Sequence, residues 1–322
     1  MDIVAIDIGG THCRFALATI GGGEAPRLGE VTVIKTAEHA SLRTAWEAFA
    51  AESGARLPRV ASIAVACPIG AGVLRLTNNP WVIDPARLAG ELGLDDVLLI
   101  NDFGAVGHAI DALDATNFSH VTGPRLNLPA TGVVTIVGPG TGLGVAQLIR
   151  LEGRSLVVET EGGHGDFAPL DAIEDAIVRR LRARFRRVSL ERVVSGPGLA
   201  SIHEALCGIE GRPFVDRDDK TLWSAALEGS DTMAAAALER FCLALGAVAG
   251  DLALSHGASA VVVAGGIGQR LIGHLPRSGF GARFVAKGRF ESWMARMPVM
   301  AVTHPQPGLF GAAAAMAARI KA

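Results

Sequence analysis

Apolar residues in this chain fall in short, nearly unbroken runs, each closed by glycine, proline or a polar pair. Runs at 3–6, 31–34, 60–66, 97–100, 133–137, 260–264 and 299–302 predict strands. Continuous runs of this length suit strands covered on both faces. Between them, apolar positions spaced for one helix face predict helices over 41–53, 85–92, 103–112, 171–187, 198–207 and 231–256. An alanine-rich helix over 309–320 follows Pro305 and Pro307, which punctuate the last connection. Strand and helix alternate, so the pattern predicts an α/β fold. The terminal helix is of a kind that packs back onto the first part of the chain.

Two of these runs end in related turns. Asp7-Ile8-Gly9-Gly10-Thr11 follows the first, and Gly138-Pro139-Gly140-Thr141-Gly142 follows the run at 133–137. Each turn leads into a second apolar run, and Thr11 and Thr141 stand 130 positions apart. The theme is strand, tight turn, strand, made twice. Glycines let backbone N–H groups converge on an anion, and a threonine hydroxyl adds a donor. One such turn alone reads as a plain hairpin. Two with threonine in the same place point to phosphate. Asp7 would repel phosphate directly, so its natural partner is a hydrated Mg²⁺ carried by the phosphates.

Composition narrows the picture without deciding it. At 322 residues, 49% hydrophobic and 19% charged, the chain is long enough for two lobes with separate cores. A net charge of −2 gives no general attraction to nucleic acid or anionic membranes. Cys13, Cys67, Cys207 and Cys242 are far apart and have no metal-ligand spacing, so a reducing cytoplasm is the expected compartment. The N-terminal run carries Asp2 and Asp7 and no basic segment, so no signal peptide is expected. The uncharged stretch 126–149 is long enough to span a bilayer, but Pro129, Pro139 and its glycines make it strand, turn and strand.

No glycine is followed by lysine, which removes the common P-loop, and the spacing at 138–144 does not fit a dinucleotide fingerprint. Asn101-Asp102 stands at the carboxyl end of a predicted strand, where open α/β sheets place ligands. Asp102 there could take a proton during phosphoryl transfer, or simply cap the helix over 103–112. Taken alone, the residue types favour the cap. Glu161, His164 and Glu191 could bind vicinal hydroxyls of a sugar, or be a structural histidine and solvated charges. Asn79, in Thr77-Asn78-Asn79-Pro80-Trp81, could belong to a turn. Gly265-Gly266 permits close approach of a ring or phosphate, or opens a helix near Ile267. Six arginines within 179–187 share a helix opened by Asp171, Glu174 and Asp175, which reads as a solvated amphipathic helix.

Taken in order, these motifs resemble the bacterial glucokinase family, a branch of the actin-like, hexokinase-type ATPases. The likeness rests on Asp7-Ile8-Gly9-Gly10-Thr11, Ala66-Cys67-Pro68-Ile69, Thr77 to Trp81 and Ile100-Asn101-Asp102-Phe103. It continues through Gly140-Thr141-Gly142-Leu143-Gly144, Glu161-Gly162-Gly163-His164, Asp166-Phe167-Ala168-Pro169, the segment 191–198 and Ala264-Gly265-Gly266-Ile267. The resemblance implies two ribonuclease-H-like lobes with mixed sheets and a cleft between them. The small lobe would be 1–110 plus 302–322 and the large one 111–301. It implies ATP-dependent phosphorylation of glucose at the 6-hydroxyl, with Asp102 as general base. Asn101, Asp102, Glu161, His164, Glu191 and Asn79 would bind the sugar. Asp7, Gly9, Gly10, Thr11, Gly140, Thr141, Gly142, Gly265 and Gly266 would hold Mg-ATP, with no protein-only metal site, and a homodimer is plausible from the family. His12 and Cys13 depart from the family's common residues after the first turn. Another hexose, or a sugar sensor without turnover, would use the same set; a chaperone or filament ATPase would leave the sugar residues without purpose.

Overall fold

The computed structural model describes residues 1–54, 56–70, 72–76 and 79–321. Thr77 and Asn78 of the predicted sugar-side motif lie outside the described residues. The chain forms two compact units, one of Met1–Asp114, Val157–Glu159 and the stretch from His304, the other of Ala115–Leu156 and Thr160–Thr303.

In the first unit, β1 (Asp2–Ile8), β2 (His12–Gly21) and β3 (Glu24–Lys35) form an antiparallel meander. Then come α1 (Leu42–Ser53), β4 (Val60–Val65), the two-residue strands β5 (Leu74–Arg75) and β6 (Val82–Ile83), α2 (Pro85–Leu92), β7 (Asp96–Asn101) and α3 (Asp102–Ala112). The sheet order is β3-β2-β1-β4-β7, with β4 parallel to both neighbours. Alternation along the strands sends Val4, Ile6, Ile8, Phe15 and Ile63 to one face, against Trp46 and Phe49 of α1 and Leu88 of α2. Ile3, Ala5, Ala16, Ala18 and Ile20 go to the other, against Leu309, Ala313 and Met316. Those last three belong to the C-terminal helix, Pro307–Lys321, which does return to the first unit as expected. It also lies along α3, with Gly311 so close to the carbonyl oxygen of Ala105 that a methyl group there would overlap it.

The second unit repeats the plan. It contains β8 (Phe118–Thr122), β9 (Gly132–Pro139), β10 (Leu143–Leu151), β11 (Arg154–Thr160), α4 (Ala172–Phe185), α5 (Leu190–Val193) and α6 (Gly196–Ile209). After them come α7 (Asp219–Glu228), α8 (Thr232–His256), β12 (Ala260–Val263), α9 (Gly265–Arg270), α10 (Phe280–Val285), α11 (Glu291–Met294) and β13 (Val299–Val302). Its sheet runs β11-β10-β9-β12-β13-β8. An antiparallel meander followed by two parallel strands appears in both sheets. This is the duplicated ribonuclease-H-like arrangement of the actin-like ATPases. Stretch 126–149 is a hairpin, as read. Among the described residues, α8 alone is long and apolar enough to cross a membrane, and most of it lies in the core.

The acidic start of α4 differs from the solvated helix expected. Asp171 is the N-cap, accepting from the N–H groups of Ile173 and Glu174 at 3.0 Å each. Its other oxygen accepts from Arg240 at 2.6 Å and Arg283 at 2.5 Å. Glu174 is buried and accepts from the N–H of Leu170. Burial pushes the Asp171 carboxyl up, but the Glu174 N–H and the two guanidiniums outweigh it and hold the group below the ordinary aspartate value.

Two outcomes follow. Gly311→Ala should destabilise the chain by about 1–3 kcal/mol in urea unfolding, the usual cost of overpacking, while a change at exposed Ala318 should be nearly neutral. Because its folded value is depressed, Asp171 stabilises above its unfolded range near ~4 and stops doing so as pH falls through the folded value. The stability gap between wild type and Asp171→Asn should therefore close as urea midpoints are followed from pH 6 down to about 3.

Candidate active site

In the first unit, Ile8, Val65 and Asn101 stand abreast on neighbouring parallel strands. The ends of β1, β4 and β7 therefore share one edge, with Asp7, Cys67 and Asp102 beside it. Asp7 is largely enclosed, with Arg14 at 3.6 Å and the backbone of Gly308 packed against its carboxylate. Burial pushes its carboxyl up, and the Arg14 guanidinium pulls it partly back. A cation arriving there would pull the carboxyl further down.

The first turn connects β1 to β2 with Gly9 donating to the carbonyl of His12 at 2.9 Å. Its outward carbonyls are all taken. Asn79 Nδ2 donates to the Gly9 oxygen at 3.1 Å, Thr36 Oγ1 to the Gly10 oxygen at 3.0 Å and the Thr36 N–H to the Thr11 oxygen at 3.0 Å. Asn79 is itself fixed, accepting at Oδ1 from the N–H of Trp81 at 2.9 Å. The Thr11 hydroxyl is exposed and lies 2.9 Å from His12 Nδ1.

The cap of α3 is Asn101 rather than Asp102. Asn101 keeps the extended backbone of β7 (φ −66°, ψ 148°), so the helix begins one residue later. Its Oδ1 accepts from the N–H groups of Phe103 and Gly104 at 2.8 and 3.2 Å, and its Nδ2 donates to the carbonyl of Cys67 at 3.2 Å. Asp102 is half-buried in the first helical turn, with one oxygen accepting from the Phe103 N–H at 2.9 Å.

In the second unit the other Gly-Thr turn closes β9 to β10. Gly140 donates to the Gly142 oxygen at 2.8 Å, leaving Thr141 exposed at the tip. The paired residues place Pro139 opposite Leu143, whereas Ile8 stands opposite Cys13 in the first hairpin. The first tip is thus one residue longer, and the 130-residue offset holds for only one strand of each pair.

Several segments meet this second turn. The N–H of Gly196, at the start of α6, donates to the Gly140 oxygen at 2.8 Å, and Ser195 caps that helix. The positive end of a 14-residue helix therefore faces the turn. Gly265 has φ +75° and sits where a Cβ would come within 2.6 Å of the Pro139 oxygen, so only glycine fits. Helix α9 begins at Gly265, two residues before the expected start. Glu191 accepts from the N–H of Leu143 at 3.0 Å, and its carboxylate occupies the space a side chain at Gly142 would need.

Glu161 and His164 are exposed, 3.6 Å apart. The segment between them packs on β10, since Gly163 lies directly against the Leu143 carbonyl. Residues 165–167 are zipped to 188–190 by Leu190 N–H to Gly165 O at 2.8 Å and Phe167 N–H to Val188 O at 3.0 Å. Arg187 adds a clamp, donating from Nε to Asp166 at 2.5 Å and from Nη2 to the His164 carbonyl at 2.8 Å. This unit therefore brings Glu161, His164, Glu191, Gly140–Gly142 and Gly265 into one neighbourhood. Sequence reading missed Thr36, Arg187 and the Ser195 cap. Only the last left a signal, serine before a glycine-proline helix start.

A family model described as Glucokinase matches residues 4–319. A glucokinase of Zymomonas mobilis is 61% identical over 317 residues, covering 98% of each chain. The crystal structure of a glucokinase from an Antarctic psychrotroph superposes with a TM-score of 0.83 at 32% identity, covering 98% of each chain. A Balamuthia mandrillaris glucokinase solved with glucose shares the fold, with a TM-score of 0.78 at 21% identity over 99% of this chain and 93% of that one. With a family model matched over residues 4–319 and a relative 61% identical along nearly its whole length, this chain belongs to the glucokinase family.

Proposed function

We propose that this protein transfers the terminal phosphoryl group of ATP to the 6-hydroxyl of glucose. The observation that carries the reading is the pairing of family membership over the whole chain with an aspartate, Asp102, held at a strand end by the Asn101 cap. Asp102 accepts the proton of the 6-hydroxyl as that oxygen attacks. Glu161, His164 and Glu191, with Asn101, hold the remaining hydroxyls through paired hydrogen bonds. The half-buried setting of Asp102 and its short bond to the Phe103 N–H fix the direction of its carboxylate.

Gly9, Gly10 and Thr11 bind ATP phosphates, as do Gly140, Thr141 and Gly142. Gly265 and Gly266 leave backbone room beside the adenosine. Asp7, an enclosed carboxyl with Arg14 at 3.6 Å, suits a metal carried by the nucleotide. Asp7 would hold Mg²⁺ through water, and the ion would neutralise charge on the phosphates being transferred. We also propose a cytoplasmic location, in keeping with four buried cysteines that remain thiols, and, from the family alone, a homodimer.

Coupled ADP-release assays across glucose, mannose, fructose and glucosamine test the reaction. Glucose should give the highest kcat/KM, and an equal or better value on another sugar would reassign the substrate. Asp102→Asn should lower kcat by about 10²–10⁴-fold with KM little changed. A variant turning over at the wild-type rate would remove Asp102 from the chemistry.

A further inference from the structure

The first Gly-Thr turn is gripped from behind. Thr36 is 2% exposed, comes 25 residues after Thr11 in the chain, and has no direct place among reacting atoms. Yet its hydroxyl and N–H hold two successive carbonyls of the turn, those of Gly10 and Thr11. Asn79 holds the one before, that of Gly9. Behind Asn79 stands Trp81, 1% exposed, whose N–H meets the amide oxygen and whose indole N–H donates to the His39 carbonyl at 2.8 Å.

A trans peptide is planar, and its C=O and N–H point in opposite directions. Holding the Gly9, Gly10 and Thr11 oxygens on one side therefore turns the N–H groups of Gly10, Thr11 and His12 to the other. Glycine peptides rotate easily, because no Cβ restricts them. Neither Gly10 nor Gly9 has a positive φ here, so side-chain sterics do not lock the turn. Without the three donors, a peptide could turn and present a carbonyl oxygen to the phosphate instead.

We propose that Thr36 and Asn79 are positioning residues for the nucleotide: they fix the peptide planes of the first turn so that its N–H groups face the ATP phosphates. Asn79, 8% exposed, is thereby given the turn in place of direct sugar contact: its Nδ2 holds the Gly9 oxygen while its Oδ1 is held by the Trp81 N–H. The inference rests on the proposed ATP:glucose reaction and deepens its nucleotide half.

The test compares steady-state kinetics of wild type, Thr36→Val, Thr36→Ser and Asn79→Asp, with KM for ATP and for glucose measured separately. Thr36→Val keeps the shape and the backbone N–H and loses only the hydroxyl donor. It should raise KM for ATP about 10-fold, equivalent to about 1.4 kcal/mol, with KM for glucose within about twofold. Thr36→Ser should recover most of the ATP affinity. Asn79→Asp, which sets a carboxylate against the Gly9 oxygen, should act on ATP in the same direction. Binding of inorganic tripolyphosphate by calorimetry should weaken in parallel, a readout independent of turnover, and thermal melting would identify any variant that fails to fold. If Thr36→Val leaves KM for ATP and tripolyphosphate affinity unchanged, or if Asn79→Asp raises KM for glucose alone, the clamp is overturned. A wild-type enzyme that does not phosphorylate glucose with ATP would instead overturn the underlying reaction.

Discussion

The parallel ladder between β1, β4 and β7 is the constraint on which the first unit depends. Its register sets Ile8, Val65 and Asn101 side by side, so all three strands stop at one edge. Everything chemical in this unit begins within a few residues of that edge. The turn at Gly9 to Thr11 leaves β1, Cys67 follows β4, and Asn101 ends β7 while reaching back to the Cys67 carbonyl. A slip of one residue in any of these strands would send its core side chains to the wrong face and move its strand end away from the others. The fully buried Val4, Ile6, Ile63 and Val65 oppose such a slip. The second unit uses the same device, with Val137, Val263 and Ala301 abreast and the Ala264 N–H continuing the ladder to Val137.

At Gly142 in the second turn, and at Gly265 beside it, a side chain would strike Glu191 or the Pro139 carbonyl. The two hairpins are related but not copies, since the first carries one more residue at its tip. The first is steadied by Thr36 and Asn79, the second by Gly196 at the start of α6 and by Glu191. One strand–turn–strand idea is thus supported in two ways.

Much of the architecture was legible because buried strands and helices leave clear periodicities. The runs at 60–66 and 97–100 became β4 and β7 almost to the residue, and the capping of α1, α4 and α8 by Ser41, Asp171 and Asp231 follows from residue type. Edge elements were not legible. β11 is mostly exposed, and the first half of β3 is polar, so neither shows an apolar run. Strand order came only with the structure, because pairing partners leave no mark in a single sequence. At the site, the residue types near Asp102 suggested the cap but assigned it one position late. Cap choice depended on where β7 let go of its extended backbone, and Asn101 did so with its amide already tied to Cys67. Thr36 was invisible for a related reason: a threonine just after a strand says nothing about a carbonyl far away in sequence.

The assignment of Asp102 as base, with a sugar held by Glu161, His164 and Glu191, is tested most directly by a crystal structure with glucose and a non-hydrolysable ATP analogue. The account predicts the 6-hydroxyl oxygen within hydrogen-bond reach, about 2.6–3.2 Å, of an Asp102 carboxylate oxygen. The other hydroxyls should meet Glu161, His164 and Glu191. Glucose bound with a different hydroxyl at Asp102, or with the 6-hydroxyl turned away from it, would contradict the account.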